Sequence, residues 1–313
     1  MPAQIAVLVP CHNEASSIAK VVADFKQALP TAEIHVFDNC SADGTADIAR
    51  ASGATVHYVA LKGKGNVVRR MFADVEADIY LMVDGDDTYE AKAAENLVRV
   101  LLENRLDMVV GARVAGNATA AYRKGHQFGN AMLTGFVQRI FGGTFKDMLS
   151  GYRVFSRRFV KSFPAISHGF EIETELTIHA LELRCPSAEI DTDYGARAEG
   201  SFSKLSTYRD GVRITKMIAL MYKHERPLEF YGAFAVAFSL LSVVLAFPII
   251  AQFVETGLVP RLPTAVLSAS LMIAALISLA CGLILGTVTK GRNEAKSLAY
   301  LSYPQASSIL PLK

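Results

Sequence analysis

Residues 81–90 read LMVDGDDTYE. An apolar run stops on Asp84, and Asp86 and Asp87 follow at once. Carboxylates crowded this closely repel unless a cation or a set of donors holds them. For a lone D-G-D a solvated turn would explain the pattern, so its surroundings decide. QIAVLVP (4–10), EIHVFDN (33–39), TVHYV (55–59), IYLMVD (79–84) and DMVVGAR (107–113) are short β-type runs, nearly continuous in apolar residues. Between them Ile18, Val21, Val22, Phe25 and Leu29 fall on one helical face, and helices are expected over 45–54, 65–76 and about 91–103. This alternation predicts an α/β domain on a parallel sheet. Ligands of such sheets bind beyond the carboxyl ends of the strands. The polar clusters PCHNE (10–14), DNCSADGT (38–45) and DGDD (84–87) all lie there.

A dinucleotide is the first ligand to test. Its fingerprint needs G-x-G-x-x-G in the first strand-to-helix turn, and VPCHNEASS has no glycine. LKGKGNVV likewise lacks the spacing of a P-loop. A nucleotide bound without a glycine cradle needs its diphosphate neutralised otherwise. A divalent ion on Asp84 and Asp86 would do so, since Mg²⁺ commonly takes one or two carboxylates plus substrate phosphates.

The chain has 313 residues and a formal net charge of +2, which points to no nucleic-acid partner. Cys11, Cys40, Cys185 and Cys281 are far apart and form no C-x-x-C pair, as in a reducing compartment. MPAQIAVLVPCHNE carries no basic leader, so the start of the chain is expected in the cytoplasm. Residues 231–254 and 264–289 contain no charge, and each is long enough to cross a hydrocarbon core of about 30 Å. A hairpin of two transmembrane helices follows. Lys223 and Arg226 precede it and Lys290, Arg292 and Lys296 follow it, whereas the intervening loop holds Arg261 against Glu255. The positive-inside bias puts both termini in the cytoplasm of a multi-pass inner-membrane protein. The expected parts are a catalytic domain (1–204), a basic amphipathic interfacial segment (205–226), the hairpin (227–290) and a cytoplasmic tail (291–313). Gly282 and Gly286 form a G-x-x-x-G pair, which leaves room for a homo-oligomer through the membrane helices.

VPCHNE, DNCSADGT, KGKGN, DGDD, DMLSGYRVFSRR and RAEGSFSKL occur in the order and spacing of the family 2 glycosyltransferases. The resemblance covers nearly all of residues 4–226 and is greatest to the polyprenyl-phosphate branch, which includes dolichyl-phosphate mannose synthase and bacterial membrane-anchored undecaprenyl-phosphate transferases. It implies a GT-A fold, with a Rossmann-like, mostly parallel sheet. It also implies Mg²⁺ or Mn²⁺ held by Asp84 and Asp86 against the diphosphate of a nucleotide sugar. Thr88 stands where mannose synthases can carry a glutamine ligand, leaving Asp87 or water as the third contact. Asp38 matches an acid that contacts the nucleobase, and Pro10 and Glu14 match the nucleoside pocket. Lys62 and Lys64 fall near the diphosphate, with a solvated basic loop as the equal alternative. Turn chemistry is the reading preferred for Asp43. Arg113, Arg123, Ser150, Arg197 and Lys204 fall at or near the acceptor-phosphate positions, with Lys124 or His126 as alternatives to Arg123. Asp147 matches an acid near the reaction centre, and GFEIETELTIHAL (169–181) reads as bracing the acceptor side.

The chemistry implied is transfer of a hexose, from a UDP-sugar in preference to GDP-mannose, onto the phosphate of a polyprenyl (undecaprenyl) carrier, with inversion. A phosphate is already an anion at neutral pH and needs no base, whereas a hydroxyl acceptor does. The competing readings are transfer to a hydroxyl, with Asp147 as base, and a non-catalytic nucleotide-sugar or lipid binder. A processive polysaccharide synthase is disfavoured, because the chain has no tryptophan for the Q-x-x-R-W motif of those enzymes.

Overall fold

The computed structural model describes residues 3–115, 134–135, 137–139, 142, 145–169, 171–195, 219–220 and 222–306. Seven strands form one sheet: β1 (Ile5–Cys11), β2 (Glu33–Asp38), β3 (Thr55–Tyr58), β4 (Ile79–Met82), β5 (Met108–Ala115), β6 (Arg153–Ser156) and β7 (Ser187–Tyr194). The first four are each followed by a helix: α1 (Ile18–Ala28), α2 (Thr45–Ala51), α3 (Lys64–Asp74) and α4 (Ala93–Glu103). Two more, α5 (Arg157–Ser162) and α6 (Ile172–Glu182), lie between β6 and β7. Helix α1 buries Ile18, Val21, Val22 and Phe25, and α4 buries Ala94, Leu97, Val98 and Leu101, each set on one 3.6-residue face. These faces close over Val7, Val9, Val36, Leu81 and Val109 on the sheet.

The strand order is β3-β2-β1-β4-β6-β5-β7. Neighbours among β1 to β4 pair in parallel. The sheet is mostly parallel, as expected of a GT-A fold, and the exception is β6, which is antiparallel to both β4 and β5. Two reversals cancel, so β5 and its parallel neighbour β7 run in the same sense as β4. The carboxyl ends of β1, β2, β4, β5 and β7 therefore share one edge of the sheet. Strand β6 is four residues long and wholly buried, too short for its period to show in the sequence.

The chain divides into two units, Met1–Gly211 with Ala295–Lys313, and Val212–Glu294. Within the first, residues near the C-terminus pack on the domain. Lys296 Nζ lies 2.8 Å from Glu182 Oε2, and the Tyr300 hydroxyl donates to Asp107 Oδ2 at 2.6 Å. Asp107 is fully buried and also accepts from Arg158 (2.5 and 2.6 Å) and Ser156 (2.7 Å). The second unit holds most of two long helices, α7 (Pro227–Thr256) and α8 (Leu262–Leu301). Both are long and apolar enough to cross a membrane, with a mean hydropathy of 2.5 over the best window. Only 11% of each window is buried, unlike the core helix of a soluble domain. Their mutual seam has a seven-residue period: Ala235, Ser242 and Ile249 on one helix, Ser268, Ala275 and Gly282 on the other. That is the spacing of knobs-into-holes packing. Ser242 and Ser268 exchange bonds, each hydroxyl donating to the other's carbonyl at 2.8 and 2.9 Å. Gly282 lies against Leu228 and Tyr231, while a Cβ at Gly286 would meet none of the described residues within 4 Å.

Candidate active site

The loops leaving β1, β2 and β3 are tied into one wall. Asn13 N–H donates to Ser41 Oγ and Ala42 N–H donates back to Asn13 Oδ1. Asn39 Nδ2 donates to the carbonyls of Val59 and Leu61, and its Oδ1 accepts from Gly63 N–H. Asp43 accepts from Thr45 and from Ala15 N–H, a turn-stabilising role. Pro10, the next-to-last residue of β1, is at intermediate exposure, and Glu14 N–H donates to Thr45 Oγ1 at 2.9 Å. Asp38 closes β2 almost wholly buried. Its Oδ2 accepts from Ser41 N–H at 3.3 Å, and its Oδ1 is buried without a partner among the described residues. A buried acceptor left open costs free energy until a donor meets it.

Lys64 is the first residue of α3, after Gly63 at φ 125°. Close packing fixes this start: a Cβ on Gly65 would fall 2.1 Å from the Ser167 carbonyl, and the Arg69 guanidinium grips the Ala165 carbonyl at 2.7 and 2.9 Å. The Lys64 ammonium thereby reaches two carboxylates at once, Asp84 Oδ1 at 2.5 Å and Glu173 Oε1 at 2.5 Å. Burial alone would lower the pKa of Lys64, but the two carboxylates reverse this and hold it above the ordinary lysine value. Burial raises the Glu173 carboxyl, against the pull of Lys64. The 169–181 segment thus meets the carboxylates after β4 through Glu173. No sequence signal marks this contact, because it joins residues remote in the chain.

Asp86 is buried and accepts from the Thr88 hydroxyl at 2.6 Å. Asp87, at φ 57°, turns away and pairs with Lys20 Nζ at 2.7 Å. Asp84 is backed by the DMLSGYR motif: a Cβ on Gly151 would lie 2.5 Å from Asp84 Oδ2, so only glycine lets the carboxylate seat here. Gly151 N–H donates to the Tyr89 hydroxyl at 2.9 Å, and Gly195 N–H donates to the Thr88 carbonyl at 2.8 Å.

Across β6, Arg113 and Asp147 form a two-pronged ion pair, Nε–Oδ2 and Nη2–Oδ1 both at 2.7 Å. The Arg113 guanidinium also stacks over Tyr194, 5.5 Å from the ring centre. Burial raises the Asp147 carboxyl, but the bonds from Arg113 outweigh it and hold the carboxyl below the ordinary range. The Ser150 hydroxyl is buried and donates to the Gly111 carbonyl at 2.5 Å. Arg123, Arg197 and Lys204 lie outside the described residues, as do Lys124 and His126.

Among the described residues no group of three or more His, Cys, Asp or Glu can hold a metal unaided. Asp84 and Asp86 nevertheless offer hard carboxylate oxygens at a strand end. Two such ligands fit Mg²⁺ or Mn²⁺ when substrate phosphates and water complete the shell.

A family profile described as glycosyl transferase family 2 matches residues 6–163. Glycosyltransferase AglJ of Haloferax volcanii is 34% identical over 246 residues, 78% of this chain and 80% of that protein. The dolichyl-phosphate hexose transferase of the same organism is 26% identical over 223 residues, 71% and 95% of the two chains. Glucosyl-3-phosphoglycerate synthase of Mycobacterium tuberculosis, crystallised with Mn²⁺, UDP-glucose and glycerol 3-phosphate, is similar in fold. Its TM-score is 0.57 at 23% identity, covering 71% of this chain and 80% of that one. With the sheet order, the carboxylate strand end and these similarities together, the chain belongs to glycosyl transferase family 2 and is a glycosyltransferase of the GT-A fold.

Proposed function

We propose that the enzyme transfers a hexose from a nucleotide-diphosphate sugar to the phosphate of a polyprenyl phosphate at the cytoplasmic face of a membrane. The observation that carries this reading is the Arg113–Asp147 ion pair beside the Asp84–Asp86 strand end. An acid locked on a guanidinium, with its carboxyl pulled below the usual range, is a poor general base. A hydroxyl acceptor needs such a base and a phosphate does not. The named relatives favour the same acceptor class, because one is a dolichyl-phosphate hexose transferase. The open acceptor atom of Asp38 suits the imino N–H of a uracil or guanine base. UDP-sugar is the preferred donor, as in the structural neighbour crystallised with UDP-glucose.

In this reading Asp84 and Asp86 hold Mg²⁺ or Mn²⁺, which when bound would offset the charge of the leaving nucleoside diphosphate. Lys64 lies beside Asp84 on the donor side. Arg113, Arg123, Ser150, Arg197 and Lys204 belong to the acceptor half. Alignment of phosphate oxygen and anomeric carbon supplies the rest of the rate, and a single displacement inverts the sugar. The test is incubation of purified protein with a panel of UDP- and GDP-sugars and undecaprenyl phosphate, followed by mass spectrometry of the lipid. A sugar phosphodiester with inverted anomeric configuration is the expected product. Sugar appearing only on hydroxyl acceptors would overturn the reading.

The hairpin α7–α8 would anchor the enzyme, with the cationic excess at its ends keeping both termini cytoplasmic. A membrane-impermeant thiol reagent should then label a cysteine introduced at Val259 from the outer side, and one introduced near the N-terminus only after the membrane is broken. Labelling of both from outside would refute this orientation.

A further inference from the structure

Lys64 stands on the carboxylate that the proposed function gives to the metal. Its ammonium contacts Asp84 Oδ1 and Glu173 Oε1 at equal distance, and all three side chains are largely shielded from water. Such charge-assisted bonds are among the strong ones, and shielding strengthens them. Glu173 depends on this contact, since its Oε2 is buried without a hydrogen-bond partner among the described residues. It sits at the start of α6, whose residues 172–180 are nearly all buried, so it cannot follow a moving lysine. Lys62, two residues earlier in the loop before α3, is exposed and belongs to no ion pair among the described residues.

We infer that Lys64 is a resident counter-ion for Asp84, held there by Glu173, which a divalent ion must displace and which the donor diphosphate then receives. Without nucleotide, the ion competes with an ammonium already seated on one of its two ligands. With nucleotide, the phosphates offer Lys64 an alternative partner, and Asp84 is released to the ion. Free metal therefore binds poorly, and metal and nucleotide enter together. Glu173 acts as a positioning residue, because it keeps the ammonium within reach of both states. This inference rests on the proposed metal site and adds an order of binding to it.

The test uses full-length protein in detergent with no sugar donor present, reading Mn²⁺ uptake by electron paramagnetic resonance with and without UDP. Lys64→Met should bind Mn²⁺ roughly tenfold more tightly than wild type in the absence of nucleotide, the loss of one charge-assisted bond to a ligand. Because this variant leaves Asp84 and Glu173 facing each other, the double variant Lys64→Met/Glu173→Gln is read beside it and should tighten likewise. Lys62→Met should bind as wild type does. UDP should improve Mn²⁺ affinity in wild type far more than in the double variant. Equal nucleotide-free affinity in wild type and both Lys64 variants would overturn the inference alone. So would tightening by Lys62→Met as large as that by Lys64→Met, since the effect would then be diffuse charge. Wild-type protein that takes up no Mn²⁺ even with saturating UDP would overturn the metal site itself.

Discussion

Asp86→Ala should lower sugar transfer by about two to three orders of magnitude, the scale on which one preorganised electrostatic group acts in a transition state. Asp86 is buried at the carboxyl edge and accepts from the Thr88 hydroxyl. Its removal takes away half of the candidate metal set. The protein should remain folded, because Asp86 belongs to a loop and not to the apolar core. Asp87→Ala is the matched comparison. That carboxylate faces Lys20 across a partly exposed ion pair, and such pairs contribute at most about 1 kcal/mol. Its activity should stay within about threefold of wild type. The measurement is turnover at saturating donor and Mn²⁺, with circular dichroism as the check on folding. Full turnover in Asp86→Ala, or in excess chelator, would remove the metal from the mechanism. A collapse of Asp87→Ala would mean that the loop rearranges on loading.

The largest effect on stability is expected from Arg153. It is the bulkiest wholly buried side chain among the described residues, and it donates to the carbonyls of Met148 (2.6 Å) and Ser150 (2.9 Å) and to the Thr177 hydroxyl (2.9 Å). Burial pushes its pKa down to about 10, with Glu173 and Asp147 opposing. Arg153→Ala leaves two buried carbonyls unpaired and opens a cavity, at a cost of about 3–5 kcal/mol. For a domain of this size that corresponds to roughly 10 °C in the thermal midpoint. Arg153→Lys should recover only part of it, since one ammonium cannot span the three acceptors with the planar fork of a guanidinium. A midpoint within about 2 °C of wild type for the alanine variant would show that the segment 147–153 does not depend on this residue.

Arg153 also marks where sequence reading stopped. The flanking YRVF segment looks like an ordinary turn into a short strand, and no periodicity reveals a four-residue strand running against its neighbours. By contrast, the apolar faces of α1 and α4 and the uncharged runs of α7 and α8 were legible, because burial in each is a local property of spacing and composition. The carboxylates after β4 were legible for a similar reason, as an apolar run ended on them. Glu173 was not, because its significance lies in Lys64, more than a hundred positions away. Arg113 and Asp147 were each visible as candidates, but their mutual pairing was not, and the pairing changes what Asp147 can do. Ion pairs between distant segments leave no trace in hydrophobic period. They are written in the fold.

That same ion pair has a consequence for how the enzyme can diverge. Strands β5 and β6 are hydrogen-bonded neighbours, yet the chain runs from Ala115 to Arg153 before it returns. Arg113 and Asp147 fasten the two ends of this excursion together like a clasp. The cost of closing such a stretch grows only with the logarithm of its length. Insertions, deletions and wholesale replacement between the clasped ends should therefore leave the sheet, its carboxylates and the wall of loops after β1, β2 and β3 nearly untouched. Under the proposed function, a lineage built on this frame would rewrite its acceptor specificity by cassette while inheriting its donor chemistry intact.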